Sequence, residues 1–240
     1  MTTGPDDERA ADLARRLEQV RDRIAVACRA SGRAEEEVTL VGVTKTFPAE
    51  DVARLVRLGL RDIGENRDQE AAPKVEAATA LLGSRDFTVH FIGQLQTNKA
   101  GHVAGYADHV HSVDRVRLVG ALSRGAENAG RRLGVLVQVS LDEGAGRGGA
   151  SPADVPALCD AVAGAAGLHL DGLMAVAPLG EEPGAAFARL AELAGRVRAD
   201  HPGATWLSAG MSSDLEAAIE HGATHLRVGT AILHSRPSHR

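Results

Sequence analysis

The chain has 240 residues, a net charge of −5 and a pI near 6.1, so it can bury one sizeable core but is too acidic for a general nucleic-acid binder. Two cysteines, Cys28 and Cys159, cannot make a disulfide framework and point to a reducing compartment, each reading as a small buried hydrophobe. The start MTTGPDDERA is acidic and unlike a signal peptide, and no apolar run reaches the length of a membrane span, which together predict a cytoplasmic protein without membrane contact.

Ala10, Leu13, Leu17, Val20, Ile24 and Cys28 recur every three or four residues, which predicts a long amphipathic helix over 6–30, ended by Ser31-Gly32-Arg33. Short apolar runs then alternate with helical stretches. Strands are expected at Val38–Thr44, Asp62–Gly64, Thr88–Ile92, His109–Ser112, Val135–Ser140, Leu168–Met174, Thr205–Ser208 and His225–Val228. The principal helices between them are expected at Ala49–Leu58, Asp68–Leu82, Asp114–Ala129, Pro152–Ala163, Ala185–Arg198 and Asp214–Glu220, with room for only a short helix in Thr97–Gly105. Asp142–Pro152 is the loop expected to be most flexible. This alternation calls for parallel strands joined by right-handed crossovers. A single (β/α)8 barrel over about 38–233, with the first helix as an extra layer, is the reading; an open doubly wound sheet competes, and periodicity does not separate them.

In a barrel the C-terminal strand ends line the mouth. The first run, VTLVGVTKTFP, ends in Lys45, one of three lysines beside 24 arginines. Arginine stays charged and is a poor nucleophile, whereas a desolvated lysine can form a Schiff base; the plain alternative is a strand end with its amine in solvent. After the seventh strand, Ser213-x-x-Glu216 matches a capping box opening a helix, beside Met211 and Ser212. The eighth strand runs into Gly229-Thr230, where backbone can approach a ligand and a hydroxyl can donate. Together these suggest a phosphate cup; the alternative is an ordinary capped helix beside an ordinary turn. Arg227 within the last strand is either a salt bridge closing the barrel or a donor to a ligand. A strand-end lysine, a phosphate cup and a neighbouring cation have a common solution in pyridoxal 5′-phosphate.

VGVTKTFP, DIGENRDQE, VHFIGQLQTNK, VHSVD, GLMAV and LSAGMSSDLEAAIEHGATHLRVGTAI resemble, in this order from about Ala11 to about Leu233, the YggS/PROSC family of pyridoxal-phosphate homeostasis proteins. The resemblance implies a TIM barrel like the alanine racemase N-terminal domain, filling the chain as one domain. It implies that Lys45 carries the cofactor as an internal aldimine and that Asn66 lies against its ring. Met211, Ser212, Gly229 and Thr230 would form the phosphate cup, and Arg227 would face the pyridine nitrogen. A cation there disfavours ring protonation and weakens the electron sink. The implied role is therefore carriage and homeostasis of the cofactor, with no catalytic residues, rather than strong catalysis. Apo-enzymes that use the cofactor are the implied protein partners, and monomer is the default state.

The chain departs from the family pattern at Phe47, where SKTKP carries a lysine, at Arg147 in place of another lysine, at Ala209 for methionine, and at Leu233-His234 for phenylalanine-glycine. The missing auxiliary lysines put a transfer route through them in doubt. A racemase is the competing function, but two-base chemistry needs an opposing acid/base, and Tyr106, the sole tyrosine, falls after the third strand. The second, β-rich domain that supplies this tyrosine in alanine racemase finds no room before Arg240. A third reading, an aldolase-like Schiff base on a phosphorylated metabolite, is open without the resemblance. His90 reads as a core histidine and Met174 as packing; Lys99 is expected at the surface or a helix end. His109 and His111 share a strand face without a third ligand, and no metal site is expected.

Overall fold

A computed structural model describes residues 5–142 and 148–234. The strands β1 Thr39–Val43, β2 Asp62–Glu65, β3 Thr88–Phe91, β4 His109–Val113, β5 Leu133–Gln138, β6 Leu168–Met174, β7 Trp206–Ser208 and β8 His225–Val228 close into a barrel in chain order. All neighbours are parallel, including β8 on β1, where Gly42 lies opposite Val228. This is the (β/α)8 architecture, and the open sheet is set aside. The intervening helices are α2 Ala49–Arg57, α3 Asp68–Leu82, α4 Ala100–Tyr106, α5 Val116–Asn128, α6 Val155–Ala163, α7 Pro183–Asp200, α8 Leu215–Glu220 and α9 Thr230–Leu233.

The first helix, α1 Pro5–Ala30, lays Leu13, Leu17, Val20, Ile24 and Cys28 against the barrel's outer layer, near α8 and α9. Its i, i+3, i+4 apolar spacing leaves one stripe to bury, and each fully buried leucine contributes about 1.5–3 kcal/mol. The strands are apolar because helices cover their outer faces while side chains fill the interior. Cys28 and Cys159 are both buried, and burial pushes the Cys159 thiol up to about 12, so neither is a ready thiolate.

Strand positions read from sequence hold closely, with one shift. β5 starts at Leu133 rather than Val135 because Leu133 pairs with Leu168. It ends at Gln138, and Val139 forms an isolated bridge to Ala150. The loop read as Asp142–Pro152 is described only at its two ends, and Arg147 lies outside the described residues.

Candidate functional site at the barrel mouth

β1 ends at Val43, and buried Thr44 turns the chain so that Lys45 stands exposed at the rim. Thr46, at φ 66, holds a left-handed conformation that a β-branched residue rarely adopts, within a turn closed by the Phe47 amide on the Thr44 carbonyl at 3.1 Å. Behind the turn, the Thr44 hydroxyl donates to Glu65 Oε1 at 2.6 Å, and Lys74 Nζ donates to that oxygen at 2.7 Å and to the Thr44 carbonyl at 2.8 Å. Lys45 thus has no bonded partner among the described residues, while Lys74 is locked beneath it. The Lys74–Glu65 pair escaped the sequence reading; its one signal was the scarcity of lysine.

Asn66 follows β2. Its main chain runs so close to Gly93 that a Cβ there would sit 2.1 Å from the Asn66 carbonyl oxygen, so the loop after β3 needs glycine. Its buried Oδ1 has no hydrogen-bond partner among the described residues.

On the other side of β1 lie the loops after β7 and β8. Gly210, at φ +87, packs so tightly that a Cβ would lie 2.6 Å from that of Ala218. The Ser212 hydroxyl accepts from the Ala231 amide at 3.2 Å, which ties the two loops together. The amides of Ser212, Ser213, Gly229 and Thr230 donate to no group among the described residues. The Met211 amide is already used by Asp214 Oδ1 at 2.6 Å, so Met211 offers its partly exposed side chain to a cleft of about 370 Å³ that Ser140 and Leu179 also line. The expected capping box is not formed. α8 starts after Asp214, with no side-chain cap, and Glu216 instead pairs with Arg23 of α1 at 2.8 and 2.9 Å. Arg23 also donates to the Ser212 carbonyl at 3.0 Å, so α1 braces this loop.

Arg227 is 5% exposed on β8. It donates to Ser208 Oγ at 2.6 Å and to the Ala175 carbonyl at 2.8 Å, but no carboxylate pairs with it among the described residues. The salt bridge that would close the barrel is therefore absent among them. Burial draws its guanidinium down to about 10, which leaves it charged at neutral pH.

Lys45, Asn66, Arg227, Met211, Ser212, Gly229 and Thr230 thus stand on or just beyond the adjoining strands β7, β8, β1 and β2, at one mouth. Tyr106 ends α4; its ring meets His102 edge-on at 5.7 Å, and burial with the nearby Asp68 and Glu65 carboxylates holds its phenol above the usual range. Phe47, where the family pattern has lysine, packs half-buried with the Arg9 guanidinium 5.8 Å above its ring. Ala209 and Leu233 are buried, and Met174 packs in the interior. Lys99 stands at the start of α4, its Nζ 3.9 Å from Asp68. His90 is fully buried with both ring nitrogens bonded. No cluster of metal-ligating side chains occurs among the described residues, and no helix there is long and apolar enough to cross a membrane.

Residues 16–237 match the family described as the alanine racemase N-terminal domain. The pyridoxal phosphate homeostasis protein of Mycobacterium tuberculosis is 45% identical over 244 residues, with 95% of each chain covered. That of Escherichia coli is 37% identical over 232 residues, covering 94% of this chain and 97% of its own. PipY of Synechococcus elongatus, solved with PLP bound, superposes with a TM-score of 0.80 at 35% identity, covering 92% of this chain and 99% of PipY. A barrel with this mouth and these relatives belongs to the pyridoxal phosphate homeostasis protein family.

Proposed function

We propose that the chain binds pyridoxal 5′-phosphate at this mouth, covalently through Lys45, and serves as a carrier that buffers the reactive aldehyde. The observation that carries the reading is a buried guanidinium without a carboxylate, Arg227, beside four main-chain amides that donate to nothing among the described residues. Such a set has donors to spare for an anionic, nitrogen-bearing ring ligand. Asn66 Oδ1, buried and unpartnered, is a further polar atom awaiting a contact. PipY, the 35% identical neighbour, is a structure with PLP bound.

In this arrangement the Lys45 amine would form a Schiff base with the aldehyde. The amides of Ser212, Ser213, Gly229 and Thr230, with the Thr230 hydroxyl, would hold the phosphate, and Asn66 would lie against the ring. When bound, the cofactor supplies reversible imine chemistry with amines. Arg227 would keep a proton off the ring nitrogen, because one cation repels another. That limits stabilisation of a substrate carbanion and leaves imine exchange as the accessible chemistry. From Lys45, exposed at the rim, the cargo would be released to apo-enzymes in the cytoplasm. The carrier reading is preferred to a racemase because the relatives are homeostasis proteins, and because burial and the nearby Asp68 and Glu65 carboxylates hold the phenol of Tyr106, the sole tyrosine, above the usual range.

The test is the visible spectrum of the purified protein mixed with pyridoxal phosphate, before and after borohydride, beside Lys45→Ala. The expected result is a visible band that reduction fixes onto the Lys45 peptide and that the variant lacks. A wild-type protein that stays colourless, or that is labelled elsewhere, overturns the reading. Incubation with L-alanine and assay for the D-form separates carrier from racemase.

A further inference from the structure

Below Arg227 the barrel interior holds polar side chains joined in series. Ser208 Oγ on β7 lies 2.6 Å from the Arg227 guanidinium and 2.9 Å from His111 Nδ1 on β4. His111 Nε2 lies 2.9 Å from His90 Nδ1 on β3, and His90 Nε2 lies 2.9 Å from Asp62 Oδ1 at the start of β2. His90, His111 and Ser208 are fully buried, whereas the Asp62 side chain is a quarter exposed at the end of the barrel opposite the mouth.

The two ends fix the direction of every bond between them. Guanidinium only donates, so Ser208 Oγ accepts from Arg227 and its own proton is left for His111 Nδ1. An ionised carboxylate only accepts, so His90 donates from Nε2 to Asp62 and offers Nδ1 as an acceptor. His111 then donates from Nε2 to His90 and receives at Nδ1 from Ser208. Each ring nitrogen on the path is used once and Ser208 Oγ accepts once and donates once, with both rings neutral. Burial favours this state: it lowers both histidines, His111 well below the ordinary range, and the His111 proton is further opposed by His90 and Arg227. The flanking groups do not break the series. His109, stacked on His90 at 5.0 Å between centroids, turns its Nδ1 to Asp171 at 2.7 Å, and His225 stacks on Trp206 at 3.9 Å.

We propose that Asp62, His90, His111 and Ser208 form a one-way hydrogen-bond relay that positions the Arg227 guanidinium at the mouth, against the ring nitrogen of the bound cofactor. The identity of that cofactor rests on the proposed function, while the relay itself is a property of the chain without ligand. These are positioning residues. Ser208 holds the guanidinium on one side as the Ala175 carbonyl does on the other, and Asp62 supplies the negative end that the buried cation otherwise lacks. Hydrogen bonds in series polarise one another, so the carboxylate strengthens the hold of Ser208 on Arg227 at a distance.

The first measurement is two-bond proton–nitrogen NMR on histidine-labelled protein without cofactor, between pH 6 and 8. Both His90 and His111 are expected as neutral rings with the proton on Nε2. A proton on Nδ1 of either ring, or a charged ring, overturns the relay. In Ser208→Ala, which removes only an oxygen, His111 Nδ1 is expected to shift toward an unbonded acceptor. The band of bound pyridoxal phosphate should shift as well, and its affinity should fall about tenfold, the loss of one charge-assisted hydrogen bond. An unchanged His111 signal overturns the link at Ser208. An unchanged cofactor spectrum and affinity overturn the positioning role. If wild-type protein takes up no pyridoxal phosphate, the proposed function falls, and the ring tautomers still decide the relay independently.

Discussion

Two lysines near the end of β1 show how surroundings assign a residue its work. Lys45 stands in solvent with no bonded partner among the described residues, whereas Lys74 is 9% exposed and held by Glu65 and the Thr44 carbonyl. The Glu65 carboxylate is fully buried, and one of its oxygens has no partner among the described residues even with Lys74 in place. Taking one partner out of such a pair strands a charge in the interior, a loss of about 3–5 kcal/mol. Lys74→Ala is therefore expected to lower the urea midpoint markedly, while Lys45→Ala, at the solvent-exposed rim, leaves it nearly unchanged. Equal losses from the two substitutions would refute this division. The same contrast predicts that borohydride leaves Lys74 unlabelled, since its nitrogen is occupied by two acceptors.

At the scale of elements, α1 is more than a cover for the barrel. Arg23 reaches from it to the Glu216 carboxylate and the Ser212 carbonyl, so a helix near the chain start holds a loop of the mouth nearly 190 residues later. The pair is half in solvent, which limits its worth to about 1 kcal/mol or less. Arg23→Ala is expected to weaken cofactor binding up to about fivefold with little change in stability; a variant that binds as wild type would show that the loop holds itself. This bond also explains a misreading. Ser213-x-x-Glu216 has the local spacing of a capping box, but a long-range guanidinium outcompetes the local amide for Glu216. Strand positions were legible because eight apolar runs must each be covered on both faces, and apolarity is written locally. The mouth was legible because strand ends carry it and because its motifs resemble a family. The relay was not, because His90, His111 and Ser208 meet only through the closure of the barrel, and each taken alone looks like core.

For the molecule as a whole, a barrel filled partly with imidazole carries a pH dependence. Burial lowers His90, His111 and His225, the last to about 3, with neighbouring histidines adding to the effect and Asp62 opposing it at His90 and His225. Near pH 8 all three rings are neutral in both folded and unfolded chains and cost almost nothing. Below it the unfolded chain takes up protons that the folded chain refuses, so the unfolded state binds more protons and stability must fall with pH. For His225 the deficit grows from about pH 6.5 down to about 3, and at pH 5 it reaches about 2 kcal/mol relative to pH 8. His90 and His111 add to it in the same direction. Carboxylates such as Asp12 and Glu216, held below their usual range, lose stabilisation only as the pH drops further, so the interval between pH 6.5 and 5 isolates the histidines. Urea unfolding at pH 8, 6.5 and 5 should show a loss of up to about 1 kcal/mol over the first step and of at least about 2 kcal/mol over the second. A flat profile would mean that these rings accept protons inside the folded barrel, and the neutral relay beneath Arg227 could then not persist through that range.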